Sequence, residues 1–410
     1  MIKSFNINYN NCSSILCDIG NKYDTDKSSQ RSNRNDNNHC HPYTLFYHSI
    51  FKNKRFEKLN IAELGILNGA SLQMWNEYFP NSIIHGFDNN YDFINICNNK
   101  NINNVNLSYI DIKDEKSIIH ELGKYNILYD IIIDDTTHDI NDQLRIIKNS
   151  YKYLKPGGIL IIEDIFINNN ENDYINNLQE LINTEFQNYF FITLDHVNKI
   201  STNSNNDKLF ILIKAGDEPI FKNNKKLSVI TPCSRPHLLT TIAKYMNFNY
   251  IDEWIIVYDG NVIPENFNIF KNYRDKVKEF IHKNPSSCVG NSQRNFALDY
   301  LLENNKDTFV YFLDDDNIIN LDLYSIVNFL DDDKIYSFNQ FNRILGNNIS
   351  LNHIDTAMII FDFKINKHLR WNIKEYGADG YYFQELYNNN KNKHIYINND
   401  LCYYNALGNP

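Results

Sequence analysis

The sequence contains no CxxC pair; its seven cysteines, Cys12, Cys17, Cys40, Cys97, Cys233, Cys288 and Cys402, are scattered and odd in number. That pattern argues against a disulfide framework or a closed zinc site and fits a reducing compartment. No long basic stripe runs along the chain and the formal net charge is −10, so no nucleic-acid partner is expected. No stretch approaches the roughly 18–20 apolar residues of a membrane span, and the opening MIKSFNINYNN lacks the apolar core of a secretion leader. A cytoplasmic protein is expected. No internal repeat links one half to the other at a fixed period.

What is present is a globular composition, 42% hydrophobic and 14% aromatic. At 410 residues the chain exceeds what one core usually supports, so two domains are expected. Residues 28–41 (SSQRSNRNDNNHCH) are polar and read as a loop. From Asn60 onward short apolar runs alternate with helical stretches: NIAELGI, SIIHGFD, VNLSYID, YDIIIDD, GGILIIED and KLFILIKAG. This is the pattern of a parallel, doubly wound sheet buried on both faces. The stretch AGDEPIFKNNKK offers little to pack, and a second series follows it: LSVITP, EWIIVYD, FVYFLDDD, KIYSFN and AMIIFDF. The boundary is placed near residue 220, giving α/β domains at 1–219 and 220–410.

In the first series NIAELGILNGASL is a strand, a glycine-bearing turn and a helix start. Glycines let a ligand approach the backbone, and a helix start offers free N–H groups. The next strand ends in Asp88, an acid suited to two ribose hydroxyls, and the third ends near Asp111, placed to face an adenine. YDIIIDDTTH ends in Asp134 and Asp135 with His138 following, and LKPGGILIIED ends in Glu163 and Asp164. Four carboxylates at two neighbouring strand ends repel one another unless a cation sits among them. Oxygen ligands favour magnesium or a similar hard cation.

YDTDKS (Tyr23 to Ser28), HPYTLFY (His41 to Tyr47), AELGILNGASLQMWNEYFPNSIIHGFD, IDDTTH and LKPGGILIIED together resemble class I methyltransferases related to macrolide-sugar O-methyltransferases and cephalosporin hydroxylase. The resemblance covers roughly residues 15–215 and implies a Rossmann-like sheet that binds S-adenosylmethionine. It implies Asp135, Glu163 and Asp164 as ligands of Mg2+ or a similar cation, and His138 as general base. A cofactor pocket of Glu63, Gly65, Asn68, Gly69, Asp88 and Asp134 is implied as well, with Asp111 near the adenine. Family members usually read DDGSH where this chain reads DDTTH, so Thr136 replaces a turn glycine. The chemistry asks for these residue types: a cation acidifies one sugar hydroxyl, and an imidazole takes its proton.

The second series opens with LSVITPCSRP. WIIVYDG ends in Asp259, GNSQRNFAL brings Arg294 to a helix start, and FVYFLDDDN ends in Asp314, Asp315 and Asp316. Asp331 to Asp333 follow a helix-like stretch and read as solvated surface. In order and spacing the four motifs resemble the GT-A fold of family-2-like glycosyltransferases over roughly 226–385. That resemblance implies a nucleotide-diphosphate sugar donor, with Pro232 and Asp259 near the nucleoside and Arg294 near the phosphates. It further implies Asp314 and Asp316 as the pair holding Mn2+ or Mg2+, and Asp379 in GADGYY as acid-base.

Taken together, a bifunctional glycan-modifying enzyme is expected, one half methylating a sugar hydroxyl and the other transferring a sugar to a sugar or glycan acceptor. Two alternatives stand beside it. One half could be a degenerate binding module, or the first half a Rossmann-type oxidoreductase or hydroxylase. ELGILNGAS in place of GxGxxG disfavours a nicotinamide cofactor.

Overall fold

A computed structural model of the protein describes residues 3–29, 39–200, 205–221, 223–260, 270, 275–283, 290–372 and 377–408. Cys288 and residues 30–38 of the polar segment lie outside them. The six described cysteines are buried and none is in a disulfide. The chain divides into two compact units, Met1–Lys222 and Asn223–Pro410.

The first unit contains, in order, β1 (Ser4–Asn8), α1 (Ile15–Tyr23), α2 (Tyr43–Phe51), β2 (Asn60–Leu64), α3 (Ala70–Tyr78), β3 (Ile83–Asp88), α4 (Tyr91–Asn99), β4 (Val105–Tyr109) and α5 (Glu115–Gly123). It continues with β5 (Tyr129–Asp134), α6 (Ile140–Ser150), β6 (Leu154–Ile165), α7 (Glu171–Glu185), β7 (Phe186–Asp195) and β8 (Lys208–Lys214). The sheet runs β4, β3, β2, β5, β6, β8, β7, β1. Strands β2 to β6 are mutually parallel, and β8 is antiparallel to both β6 and β7. This is a mixed α/β sheet with the strand order of a class I methyltransferase. The expected all-parallel sheet is corrected at β8: its run KLFILIK is buried at six consecutive positions, which signals cover on both faces and carries no strand direction. Strands β1 and β7 extend the sheet beyond the six apolar runs of the sequence. Side-chain oxygens of Asn90, Asp114, Asp139 and Asn170 cap α4 to α7, each satisfying an otherwise orphaned helix N–H.

The second unit contains β9 (Leu227–Cys233), α8 (Leu239–Ile242), β10 (Ile251–Asp259), β11 (Val277–His282), α9 (Asn291–Glu303) and β12 (Phe309–Phe312). Then come β13 (Ile318–Ile319), α10 (Leu323–Val327), β14 (Ile335–Gln340), β15 (Ile359–Asp362), α11 (Ala378–Asn388) and β16 (His394–Tyr403). Its strands are ordered β11, β10, β9, β12, β15, β14, β16, with β13 paired to β16. Strands β9 to β12 are parallel, and β15 is antiparallel to its two neighbours. The unit is therefore parallel on one side and mixed on the other.

Candidate functional site

In the first unit a cavity of about 550 Å³ opens at the carboxyl ends of the parallel strands. Its floor depends on one glycine. Gly65 leaves β2 at φ +85°, and a Cβ there would lie 1.8 Å from the carbonyl oxygen of Asp135, so a side chain would force the turns after β2 and β5 apart. Asp88, at the end of β3, accepts from the N–H groups of Ile66 (3.0 Å) and Leu67 (3.3 Å) and so ties the glycine turn to the next strand. Gly65, Asn68 and Asp88 all line the cavity.

Four other expected cofactor residues do not line it. Glu63 is fully buried below it, accepting from Ser71 Oγ (2.9 Å) and Trp75 Nε1 (3.3 Å); burial pushes its carboxyl up to about 7 against the pull of Lys27. Gly69 serves the α3 turn, where a Cβ would meet Cys97 Sγ at 2.7 Å. Asp111 is turned into its own loop, accepting from Lys113 N–H at 2.9 Å, and the wall is formed instead by Ile110 and Ile112. Asp134 is buried and accepts from Thr136 Oγ1 at 2.7 Å; burial pushes it up to about 7. Thr136, in place of glycine, thus gains a bond within the turn, while His138 at φ +58° still faces the cavity.

Ligating atoms of Asp135, His138 and Asp164 lie within 4.8 Å of one another, which fits a small cation. His138 Nε2 is 3.1 Å from Asp164 Oδ2 and 3.6 Å from Asp135 Oδ1. Glu163 stands apart: Lys27 and the hydroxyl of Tyr47 hold it, and it does not line the cavity. The structure thus places Glu163, expected as a ligand, outside the group of Asp135, His138 and Asp164. The helix α2 explains the split. It is YTLFYHSIF, buried at eight of its nine positions, and Tyr43 and Tyr47 project one turn apart from the same face. Their hydroxyls reach Asp164 and Glu163 respectively.

Lys27, His41 and Tyr47 carry no assigned role in the sequence, although they stand in the YDTDKS and HPYTLFY motifs. Lys27 is 2% exposed with its ammonium 2.6 Å from Asp135. Burial alone would lower its pKa, but Asp135 and then Glu163 outweigh that and raise it well above the ordinary lysine value. Reciprocally, burial would raise Asp135, but Lys27 and then His138 hold it below the usual carboxylate range. The findable signal was charge balance, since strand-end acids packed this densely need internal cations.

In the second unit a cavity of about 600 Å³ is lined by Pro232, Asp259, Arg294, Asp314, Asp316 and Asp379, among others. The three consecutive acids diverge. Asp315 is buried and ties down the turn after β9, accepting from the N–H groups of Ser234 and Arg235, both at 2.7 Å. Asp314 is bound by Arg294 Nη2 (2.5 Å) and Thr356 Oγ1 (2.7 Å), and Asp316 lies 2.9 Å from Arg235 Nη2. Arg294 also stacks over the Trp371 ring at 4.6 Å. Asp379 opens α11 after Gly377 (φ +79°), and burial raises its pKa. Among the described residues, no group of three ligating side chains as close as that of the first unit gathers here. Asp331 to Asp333 do not line the cavity.

A family profile described as "Methyltransferase domain" matches residues 51–216. The demethylmacrocin O-methyltransferase of Streptomyces fradiae is 28% identical over 134 residues, covering 31% of this chain and 32% of that protein. The mycinamicin VI 2''-O-methyltransferase of Micromonospora griseorubida is 27% identical over 136 residues, covering 31% and 32%. The matched region thus spans about a third of the length of these relatives. Among solved structures, the MycE methyltransferase of the mycinamycin biosynthetic pathway, in complex with Mg and SAH, aligns over 50% of this chain and 56% of its own, with 17% identity and a TM-score of 0.36.

Proposed function

We propose that the first unit transfers a methyl group from S-adenosylmethionine to a sugar hydroxyl with the help of a divalent cation. The observation that carries this is the meeting of Asp135, His138 and Asp164 in a cavity that Asp88, Ile110 and Ile112 also line. Asp88 suits a ribose, the isoleucines suit an adenine face, and the glycine turn admits the rest of the nucleoside. The similarity to O-methyltransferases named for a rhamnosyl tetracenomycin and an olivosyl oleandolide supports a sugar as the class of acceptor.

Methyl transfer is an in-line displacement: the acceptor oxygen bonds to the methyl carbon, the carbon–sulfur bond breaks, and sulfur keeps its electron pair. The acceptor proton passes to His138 Nε2. Asp135 and Asp164 would hold the cation, whose chemistry is to acidify the bound hydroxyl. The buried residues beneath keep both carboxylates in place, and the apolar wall excludes water, so much of the catalysis is alignment.

For the second unit we propose transfer of a sugar from a nucleotide-diphosphate donor, with Asp314 and Asp316 as the metal pair, Arg294 at the phosphates and Asp379 as base. The convergence of residues so far apart in sequence on one cavity supports it. One observation favours the alternative of a binding module: both acids of the pair are engaged by arginines. Thermal-shift titration with S-adenosylmethionine and a panel of nucleotide sugars, with and without Mg2+ or Mn2+, tests both units, because a ligand that binds the native state raises its Tm. Product analysis with methyl-labelled cofactor then tests methylation. A chain that S-adenosylmethionine does not stabilise would remove the first proposal, and metal-independent binding of every nucleotide sugar would favour the module.

A further inference from the structure

Asp164 sits in the left-handed region at φ +54°, a conformation aspartate tolerates but which its surroundings must hold. It interrupts the alternation of β6, whose pairing with β8 shifts register between Ile162 and Ile165. The carboxylate is then fixed from behind. Oδ1 accepts from the Tyr43 hydroxyl at 2.6 Å, and His41 Nε2 stands 3.5 Å from the same oxygen, within ion-pair range. The Tyr43 oxygen in turn accepts from the Asp164 N–H at 3.3 Å.

His41 is itself held on two sides. Its Nδ1 is 2.9 Å from the carboxylate of Asp207, which is fully buried, and its ring stacks on Tyr43 with centroids 4.7 Å apart and planes 11° from parallel. The second oxygen of Asp207 lies 3.1 Å from Lys199. The imidazole therefore cannot rotate without losing either the stack or the Asp207 bond. This leaves Asp164 Oδ2, on the His138 side, as the oxygen presented to the cavity.

We propose that Asp207, His41 and Tyr43 form a positioning clamp that makes Asp164 a one-oxygen ligand, with His41 acting through Asp164 rather than on the acceptor. The proposal rests on the divalent-cation reading of the first unit. Partners of this kind are conventionally worth about 10–100-fold in metal affinity. Side-chain isosterism separates the two edges of the ring: an asparagine amide stands near Nδ1 and keeps the Asp207 contact, whereas a glutamine amide stands near Nε2 and keeps the reach to Asp164.

The experiment is titration of Mn2+ into the full chain by calorimetry, with S-adenosylmethionine titrated in parallel. His41→Asn is expected to weaken Mn2+ binding about 10–100-fold, and His41→Gln to stay within about threefold of wild type. Tyr43→Phe, which removes the donor to Oδ1 and keeps the ring, is expected to weaken Mn2+ in the same direction as His41→Asn. Cofactor affinity should be unchanged in all three. If the wild type binds no Mn2+, the cation reading fails and the clamp with it. If the wild type binds and all variants match it, the clamp alone is overturned. Equal loss of Mn2+ and cofactor affinity in the Asn and Gln variants would also overturn it, because it marks a purely structural histidine.

Discussion

The Lys27 ammonium lies 2.6 Å from Asp135 Oδ2 and 3.7 Å from Glu63 Oε1, and it also bonds Glu163. One buried cation therefore serves three carboxylates. Lys27→Met would leave them uncompensated, and breaking a buried ionic group by removing one partner costs about 3–5 kcal/mol. The expected result is a lower urea midpoint for the first unit, with the deficit shrinking as pH falls. The sign follows from Glu63, already pushed up to about 7: without Lys27 the carboxylates take up protons more readily in the folded state, so acid restores stability. A deficit that stays constant or grows between about pH 8 and about pH 6 would contradict the charge-balance role of Lys27.

Glu163 and Asp164 give a second test, because they are neighbours in sequence with different partners. Glu163 is closed on Lys27 and Tyr47, and Asp164 joins Asp135 and His138. Glu163→Gln should keep Mn2+ affinity within about threefold, while Asp164→Asn should lower it by about 10-fold or more and abolish methyl transfer. Isothermal titration of both variants distinguishes them. Equal loss in both would restore Glu163 to the ligand set.

These residues also show what could be read from the sequence. Gly65, Asn68 and Asp88 belong to a glycine turn and a strand end, which are local patterns in the sequence, and they line the cavity. Doublets were not fully legible. Successive strand side chains point to opposite faces, so Asp134 and Asp135 could not both face the cavity, and sequence alone does not say which does. Lys27 and His41 stayed hidden for a different reason: their partners Asp135 and Asp207 lie 108 and 166 residues away, a separation no local pattern bridges. Topology was missed in the same way at β8, where burial was readable and direction was not.

Each unit holds a buried histidine that resists protonation, and this sets a pH dependence. His85 is 3% exposed between Tyr125 and Tyr129, with neither ring nitrogen partnered among the described residues, and burial lowers it to about 4. Burial lowers His394 to about 4 as well. Between the unfolded value near 6.5 and about 4, the unfolded chain binds protons that the folded chain does not, so stability falls as pH falls through that window. The full effect is about 3 kcal/mol per histidine. Glu63 and Asp134, raised to about 7, act in the opposite sense in the first unit, so the test is the difference between two profiles: from about pH 7 to about pH 4.5 the Tm of His85→Phe should fall less, or rise more, than that of the wild type. An unchanged slope in that variant would remove His85 as a cause.

The second unit yields a test in which two affinities move in opposite directions. Arg294 Nη2 is 2.5 Å from Asp314 Oδ1 while its guanidinium rests on Trp371; on the nucleotide-sugar proposal it would compete with a cation for Asp314 and be held ready for a phosphate. Arg294→Met should therefore let Mn2+ alone bind more tightly, yet weaken Mn2+-dependent binding of a nucleoside diphosphate by about 10–100-fold, the loss of a charge-assisted hydrogen bond. Asp316→Asn should weaken the metal and the diphosphate together. Asp379→Asn, if that carboxylate only accepts the acceptor proton, should leave both affinities near wild type and cut sugar transfer by roughly 10²–10⁴-fold. Calorimetry with Mn2+ first and the diphosphate second reads all three. Should Arg294→Met weaken Mn2+ itself, the arginine is not a competitor for Asp314 and its place at the phosphates loses its argument; should Asp379→Asn lose donor affinity as Asp316→Asn does, Asp379 belongs to the donor site and not to proton transfer.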